Sequence, residues 1–364
     1  MWTTALARTS RSITRPPFGK WRNPEEFLRE RSVADTLSVL DKGLERAAQL
    51  KEGKSPWTTQ KGRVVRGYRS AVDGSVQPVR VTIPDEYDGA WAFPLDVAQH
   101  GRFTSLYEVE TLNSWQGAEI DYLPGTIQID LLGRGKNTYH WPGEADVFEA
   151  IDFAKRAYKI GPERMTLRGF SMGGAGVWHT SLHFPDLWTA VEVGASDDTS
   201  HRIPILDTLP PYHQAMCRIF DNMYEWALNA YDIPLASYVG ENDRSLAREI
   251  RYLQKPATPR RSFLVAPNTG HAMHPGSRKV LNAFLYDRTK TGRQIPDRIR
   301  FVTYKTRHNR DYWITVDGLE KRYERGEVDA RRSDNRGPYG IRTKNITRLV
   351  LGQTGFAREI SIDG

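Results

Sequence analysis

Val33, Leu37, Leu40 and Leu44 recur at steps of four, three and four residues, which puts one apolar face on a helix. Asn23-Pro24 opens that helix, Glu26 stands where a capping box needs it, and Gly53 and Pro56 stop it. From Arg63 the apolar period shortens. Val64-Val65 and Val79, Val81, Ile83 flank Asp73-Gly74, a turn pair favoured in hairpins. Strands are then predicted at 95–98, 126–132, 165–167, 190–193, 235–239 and 263–266. Between them, helical spacing is predicted at 144–158 (Val147, Phe148, Ile151 and Ala154 on one side), 172–183 and 277–286. Strands alternating with helices predict a mostly parallel sheet covered on both faces. Beyond Ile295 the alternation stops. Residues 301–306, 312–316 and 348–351 are β-like, with Asp317-Gly318 as a turn, and predict a small C-terminal β-rich region. The end at Ser361-Ile362-Asp363-Gly364 reads as a strand running into a turn, as though cut from a longer protein.

Composition narrows the function classes. The chain has 364 residues, 39% of them apolar, enough for a core and too many for a disordered polymer. No uncharged apolar run reaches the roughly 18 residues of a membrane span. One cysteine, Cys217, excludes an intrachain disulfide framework and a Cys-based zinc cluster. The net charge of +8 sits at the ends. From Arg288 onward there are 18 Lys/Arg against 10 Asp/Glu, and the first 23 residues carry five basic groups and no acid. A basic tail on a mildly acidic body can attract phosphate or acidic polysaccharide, although a solvated surface needs no partner. Residues 1–23 lack an apolar signal core and read as a disordered or mis-called start. The chain as written is therefore expected in the cytoplasm, with secretion left open if its start is mis-called or trimmed.

The strongest chemical signal is Gly169-Phe170-Ser171-Met172-Gly173-Gly174, a G-x-S-x-G pattern between a predicted strand and a predicted helix. A tight turn lifts the serine Oγ above the sheet, and glycines two before and two after relieve the crowding. The Met172 N–H then points toward a developing oxyanion. A serine needs a base, and the partners are expected in the order acid, then histidine. Asp243 follows the strand at 235–239. Glu241 in the same loop, and Asp197 or Asp198 after an earlier strand, are rivals. His271 follows the strand at 263–266 on a glycine turn, with His274 as competitor. His179 and His183 are expected to be packing or surface groups. The second oxyanion donor is expected in His100-Gly101-Arg102-Phe103, where Gly101 permits close approach and the Arg102 N–H donates. The Arg102 side chain is an alternative anchor for a substrate carboxylate.

Together with Asp146-Val147-Phe148-Glu149-Ala150 and Gly161-Pro162-Glu163-Arg164, the run Arg168-Gly169-Phe170-Ser171-Met172-Gly173-Gly174 resembles the α/β-hydrolase superfamily. More narrowly it is similar to prolyl-oligopeptidase-type catalytic domains and related esterases of polyhydroxybutyrate-depolymerase-like and feruloyl-esterase-like kind. The resemblance spans about Arg63 to Arg288. It implies an α/β-hydrolase fold with an eight-stranded, mostly parallel sheet and a Ser–Asp–His triad at the C-terminal strand ends. Two departures stand out: the lipase-type HGGG run is absent, and the roughly 62 residues before the first strand cannot form the propeller that gates prolyl oligopeptidases.

The expected division is therefore a start segment at 1–23, a helix and linker at 24–62, a catalytic domain at 63–294 and an accessory β-rich basic region at 295–364. The expected activity is metal-independent hydrolysis of a small-molecule or polysaccharide-linked carboxylic ester. A peptidase of prolyl-oligopeptidase type, and a non-catalytic carbohydrate-binding protein, are the alternatives. No cofactor or metal is expected. Phe103, Tyr212 and Trp226, with Arg102, are candidate substrate contacts, and the segment 103–125, with Tyr107, Trp115 and Tyr122, is placed to overhang the site. Tyr304, Tyr312, Trp313, Tyr323 and Tyr339 are expected mainly to pack. Sugar stacking is the alternative for them, and nucleic acid a remote one.

Overall fold

The computed structural model describes residues 30–102, 108–115, 122–196, 210–213, 216, 223–247, 249–250, 261–333, 337–352, 357 and 359–364. Its centre is an eight-stranded sheet in the order β1-β2-β4-β3-β5-β6-β7-β8. The strands are β1 (Gly62–Arg69), β2 (Val76–Ile83), β3 (Phe93–Gln99), β4 (Ile127–Leu131), β5 (Ile160–Phe170), β6 (Ala190–Gly194), β7 (Leu235–Gly240) and β8 (Arg261–Ala266). β2 runs antiparallel to β1 and β4, and every later pairing is parallel. This is the eight-stranded, mostly parallel sheet that the sequence resemblance implies.

The strand sequences explain the two-sided cover. β6 and β7 are buried at every position, and Ile127, Ile129 and Leu131 of β4 are buried too. Such runs cannot face water on either side. Helix α1 is Glu30–Lys51, α2 is Glu108–Trp115, α3 is Pro142–Ala157, α4 is Met172–His183 and α5 is Pro275–Thr291. α3 turns Val147, Ala150, Ile151 and Ala154 inward, whereas α4 is buried all round. A helix without a polar face must lie inside, and α4 does so directly behind the turn at Ser171.

The apolar stripe of α1 is not absorbed by the core. Val33, Leu37, Leu40 and Leu44 each stay more than half exposed. Arg46 instead anchors the helix by donating to the Val65 carbonyl at 2.7 Å and lying over the Trp57 ring. The expected start at Asn23-Pro24 and Glu26 lies outside the described residues.

The C-terminal β region is richer in strands than its sequence suggests. β9 (Arg298–Thr303), β12 (Gly326–Arg332), β13 (Tyr339–Lys344) and β15 (Ile360–Ile362) form one sheet. β10 (Arg310–Asp311), β11 (Ile314–Gly318) and β14 (Arg348–Leu351) form a second. Ile299, Phe301, Trp313, Ile314, Val316, Val328, Ala330, Tyr339 and Ile341 fill a core between them. Tyr304, Trp313 and Tyr339 are at most 3% exposed, so they pack rather than stack on sugar. Val302 and Tyr304 reach the main core. The seam is fixed by Asn229, fully buried, which donates to the Leu182 and Val302 carbonyls and accepts the Val302 N–H at 2.7 Å. No helix among the described residues is long and apolar enough to cross a membrane.

Asn229→Ala strips partners from three buried backbone groups, each of which costs about 1–3 kcal/mol when left unmade. The expected loss of stability is about 3 kcal/mol or more in urea unfolding; a loss within error of zero would show that the seam is held by packing alone.

Candidate active site

Ser171 sits between β5 and α4 with φ 60° and ψ −117°, a region that side-chain-bearing residues rarely occupy. Its N–H donates to the Gly194 carbonyl at 2.8 Å, which ties the turn to the neighbouring strand β6. The flanking glycines are there because the backbone packs on itself. A methyl group on Gly173 would land inside the Gln99 carbonyl of β3, and one on Gly169 would land on the Gly173 carbonyl. α4 therefore begins hard against β3, and its first N–H groups have no intrahelical acceptor.

Asp243 and His271 arrive from the loops after β7 and β8. The Ser171 Oγ lies 2.8 Å from His271 Nε2, and His271 Nδ1 lies 2.6 Å from Asp243 Oδ2. An ionised carboxylate only accepts, so Asp243 fixes the proton on Nδ1 and leaves Nε2 as the acceptor for the serine hydroxyl. The Asp243 side chain is fully buried, whereas that of His271 is 40% exposed. Burial alone would push the Asp243 carboxyl up. Donation from the Ser245 N–H and Oγ–H at 2.8 and 2.7 Å, together with His271, outweighs it and holds the carboxyl below its ordinary value.

The rival residues have other partners. Glu241 accepts the Asn268 N–H at 2.8 Å and shapes the histidine loop. His274 caps α5, its Nδ1 accepting the Gly276 and Ser277 N–H groups. Asp197 and Asp198 lie outside the described residues. Tyr238, which sequence reasoning passed over, braces the same loop. Its hydroxyl donates to the Ala272 carbonyl at 2.7 Å and accepts the His274 N–H at 2.9 Å. The Asn242 N–H donates to the Thr269 carbonyl, which joins the acid loop to the histidine loop. Only the local D-x-S bonding of Ser245, two residues past Asp243, could have been anticipated from sequence.

On the opposite side, Gly101 lies against the turn. A Cβ there would stand 3.2 Å from the Phe170 carbonyl oxygen and 3.5 Å from the Ser171 Cβ. The His100 N–H donates to the Tyr139 hydroxyl at 2.7 Å, and the two His100 ring nitrogens face the Gly101 and Leu132 carbonyls, each at 2.8 Å. This loop is thus built from β3, β4 and the segment before α3. Met172 is buried, Arg102 is exposed, and Phe103 lies outside the described residues.

Of the other candidate substrate contacts, Tyr212 is exposed and rests edge-on against His213. Trp226 requires a correction. It is 2% exposed and packed among the His183, Tyr304 and His308 rings, so it has no face to offer a substrate. Trp115 is likewise buried, with Arg80 over its ring, while Tyr122 is exposed and Tyr107 lies outside the described residues. His179 and His183, expected as packing or surface groups, both lie on one buried carboxylate, Glu144. Their i, i+4 spacing on one helix was the available signal, and the partner from a distant helix was not.

No model of a known protein family matches the chain, and no curated protein matches it. Among solved structures, S-formylglutathione hydrolase from Staphylococcus aureus is 13% identical, with a TM-score of 0.46 over 63% of this chain and 98% of its own. Est1E from Butyrivibrio proteoclasticus is 16% identical, with a TM-score of 0.45 over 62% of this chain and 99% of its own. An S-formylglutathione hydrolase from Agrobacterium tumefaciens is 12% identical, with a TM-score of 0.44 over 63% and 93%.

The depressed Asp243 carboxyl sets a pH signature. A group whose pKa is lower folded than unfolded stabilises the fold above its unfolded value, about 3.9, and that contribution is lost as pH falls through the folded value. Urea midpoints of wild type and Asp243→Asn should therefore diverge above about pH 4 and converge in stronger acid. A gap independent of pH would mean that the carboxylate charge is not what the Ser245 and His271 contacts stabilise.

Proposed function

We propose that the chain is a serine hydrolase of carboxylic esters, with residues 63–294 as its catalytic domain and 295–364 as an accessory region. The observation that carries this reading is the unbroken hydrogen-bond chain from Ser171 Oγ through His271 to a buried Asp243. In this mechanism Ser171 Oγ attacks the ester carbonyl carbon while its proton passes to His271 Nε2. The Nδ1–H of the resulting imidazolium stays on Asp243, whose buried charge stabilises it. The carbonyl oxygen gains the negative charge and is met by the Met172 N–H at the start of α4 and by the backbone of Gly101-Arg102. Collapse expels the alcohol, which leaves with the proton from Nε2, and Ser171 holds the acyl group. Water then attacks the acyl carbon, gives its proton to the same nitrogen, and the returning proton frees Ser171 as the acid departs. Arg102, exposed at the rim of the oxyanion loop, and Phe103 are the proposed contacts to the substrate.

Nothing in this geometry requires an ester leaving group rather than an amine, so the leaving group is read directly by comparison. An aryl ester and its matched aminoacyl anilide are offered to the full chain. The expected result is higher kcat/KM on the ester, with a fall of roughly 10⁴-fold or more in Ser171→Ala and about 10⁴-fold in Asp243→Asn. Preference for the anilide would favour a peptidase. Undiminished ester turnover by Ser171→Ala would remove Ser171 from the chemistry altogether.

A further inference from the structure

A second polar cluster lies deep in the seam between the hydrolase sheet and the C-terminal sheets. Glu144 enters from the first turn of α3, His179 and His183 from successive turns of α4, and His308 from the loop between β9 and β10. All are buried, none more than 8% exposed. Glu144 Oε2 lies 2.9 Å from His179 Nε2 and 3.1 Å from His183 Nδ1, and Glu144 Oε1 lies 3.3 Å from His308 Nε2. The ligand atoms of Glu144, His179 and His183 all fall within 4.8 Å of one another. The His183 and His308 rings stack with centroids 3.8 Å apart, so His308 reaches the same carboxylate alongside His183.

A tetrahedral zinc ion with bonds near 2.0–2.1 Å has ligand-to-ligand edges of about 3.4 Å. The three carboxylate–imidazole separations, 2.9, 3.1 and 3.3 Å, are at or somewhat below that edge, and an outward shift of the rings with a turn of the Glu144 carboxylate would admit the ion. The donor set is selective as well. Three imidazoles with one carboxylate suit zinc, whereas calcium and magnesium take oxygen ligands. Two histidines at i, i+4 present both rings to one side of a helix.

We propose that Glu144, His179 and His183, with His308 in the fourth position, form a structural zinc site that pins the C-terminal sheets to the hydrolase domain. Its place along α4 separates it from the nucleophile, since His179 lies eight residues, roughly 12 Å of helix, beyond Ser171. The zinc therefore takes no part in the ester chemistry, and the site stands or falls independently of it. Each imidazole shifts its proton to the ring's other nitrogen when it ligates, so binding releases no net proton from these groups. Arg307, whose side chain is 66% exposed, reaches Glu144 Oε1 at 3.1 Å from the solvent side. It gives up that contact to water when the dication enters.

The test uses the full chain, stripped with a chelator and then incubated with zinc chloride. Metal is read by mass spectrometry after gel filtration, and thermal stability is measured beside it. Wild type is expected to retain one zinc per chain and to melt higher with zinc than without. Arg307→Ala is expected to bind zinc at least as tightly, because a competing cation is gone. His179→Gln with His183→Gln should weaken binding by more than the 10–100-fold typical of losing an outer-shell partner, and should lose the zinc-dependent rise in Tm. Cobalt(II) in the wild type should give the intense visible bands of a tetrahedral site, a readout that needs no variant to fold. No zinc above buffer on wild type, equal zinc on the double variant, or a weak octahedral cobalt spectrum would each overturn the site and leave the Arg307–Glu144 pair as the cluster's closing contact.

Discussion

The close approach of α4 to the sheet is the constraint on which the rest of the structure depends. Ser171 is held at positive φ because the chain must reverse from β5 into α4 without leaving room for side chains at Gly169 or Gly173. That crowding is offset elsewhere: α4 is buried on every side, and its far half meets α3 through Glu144. A strained turn persists only where its surroundings over-determine it. Here β3, β6 and α3 together supply that support, and the same approach leaves the first N–H groups of α4 exposed to whatever oxygen enters above Ser171.

The three loops around the serine are cross-braced in a way that spreads positional accuracy beyond Ser171, His271 and Asp243 themselves. Tyr238 and the Asn242–Thr269 backbone bond hold the acid and histidine loops to each other, Ser245 closes the acid loop on Asp243, and His100 and Tyr139 hold the opposite loop. Apart from the Ser245 contact, these braces join groups well separated in sequence. The proposed mechanism depends on such contacts to fix rotamers, because a displacement of about 1 Å at a reacting group is costly.

Much of this was legible in the sequence where a single physical cause acted locally. The limits of α4 follow from the elbow and from His183, and the strands of the central sheet follow from uninterrupted apolar runs. The juxtaposition of Asp243 and His271 with Ser171 follows from strand order once a parallel sheet is granted. β12 was not legible. Its buried face is Gly326, Val328, Ala330 and Arg332, so only two inward positions carry apolar side chains and the alternation is too short to stand out. β13 is hidden in the same way, with Ile341 beside Arg342 and Lys344. The exposed stripe of α1 shows the converse failure, since an apolar period predicts a helix but not what covers it. Trp226 was misread because sequence alone does not tell whether a tryptophan ring lines a pocket or enters the core. The Glu144 cluster needed a contact between residues 164 positions apart, which no local pattern carries.

In the proposed function, the Ser171–His271–Asp243 arrangement makes Ser171 an activated nucleophile. A fluorophosphonate reports that property without any assumption about the natural substrate, and intact-mass analysis counts the adducts. One adduct per wild-type chain is expected, located by peptide mapping to Ser171, and none on Ser171→Ala. A folded wild type that stays unlabelled, or a Ser171→Ala protein labelled to the same extent, would contradict it.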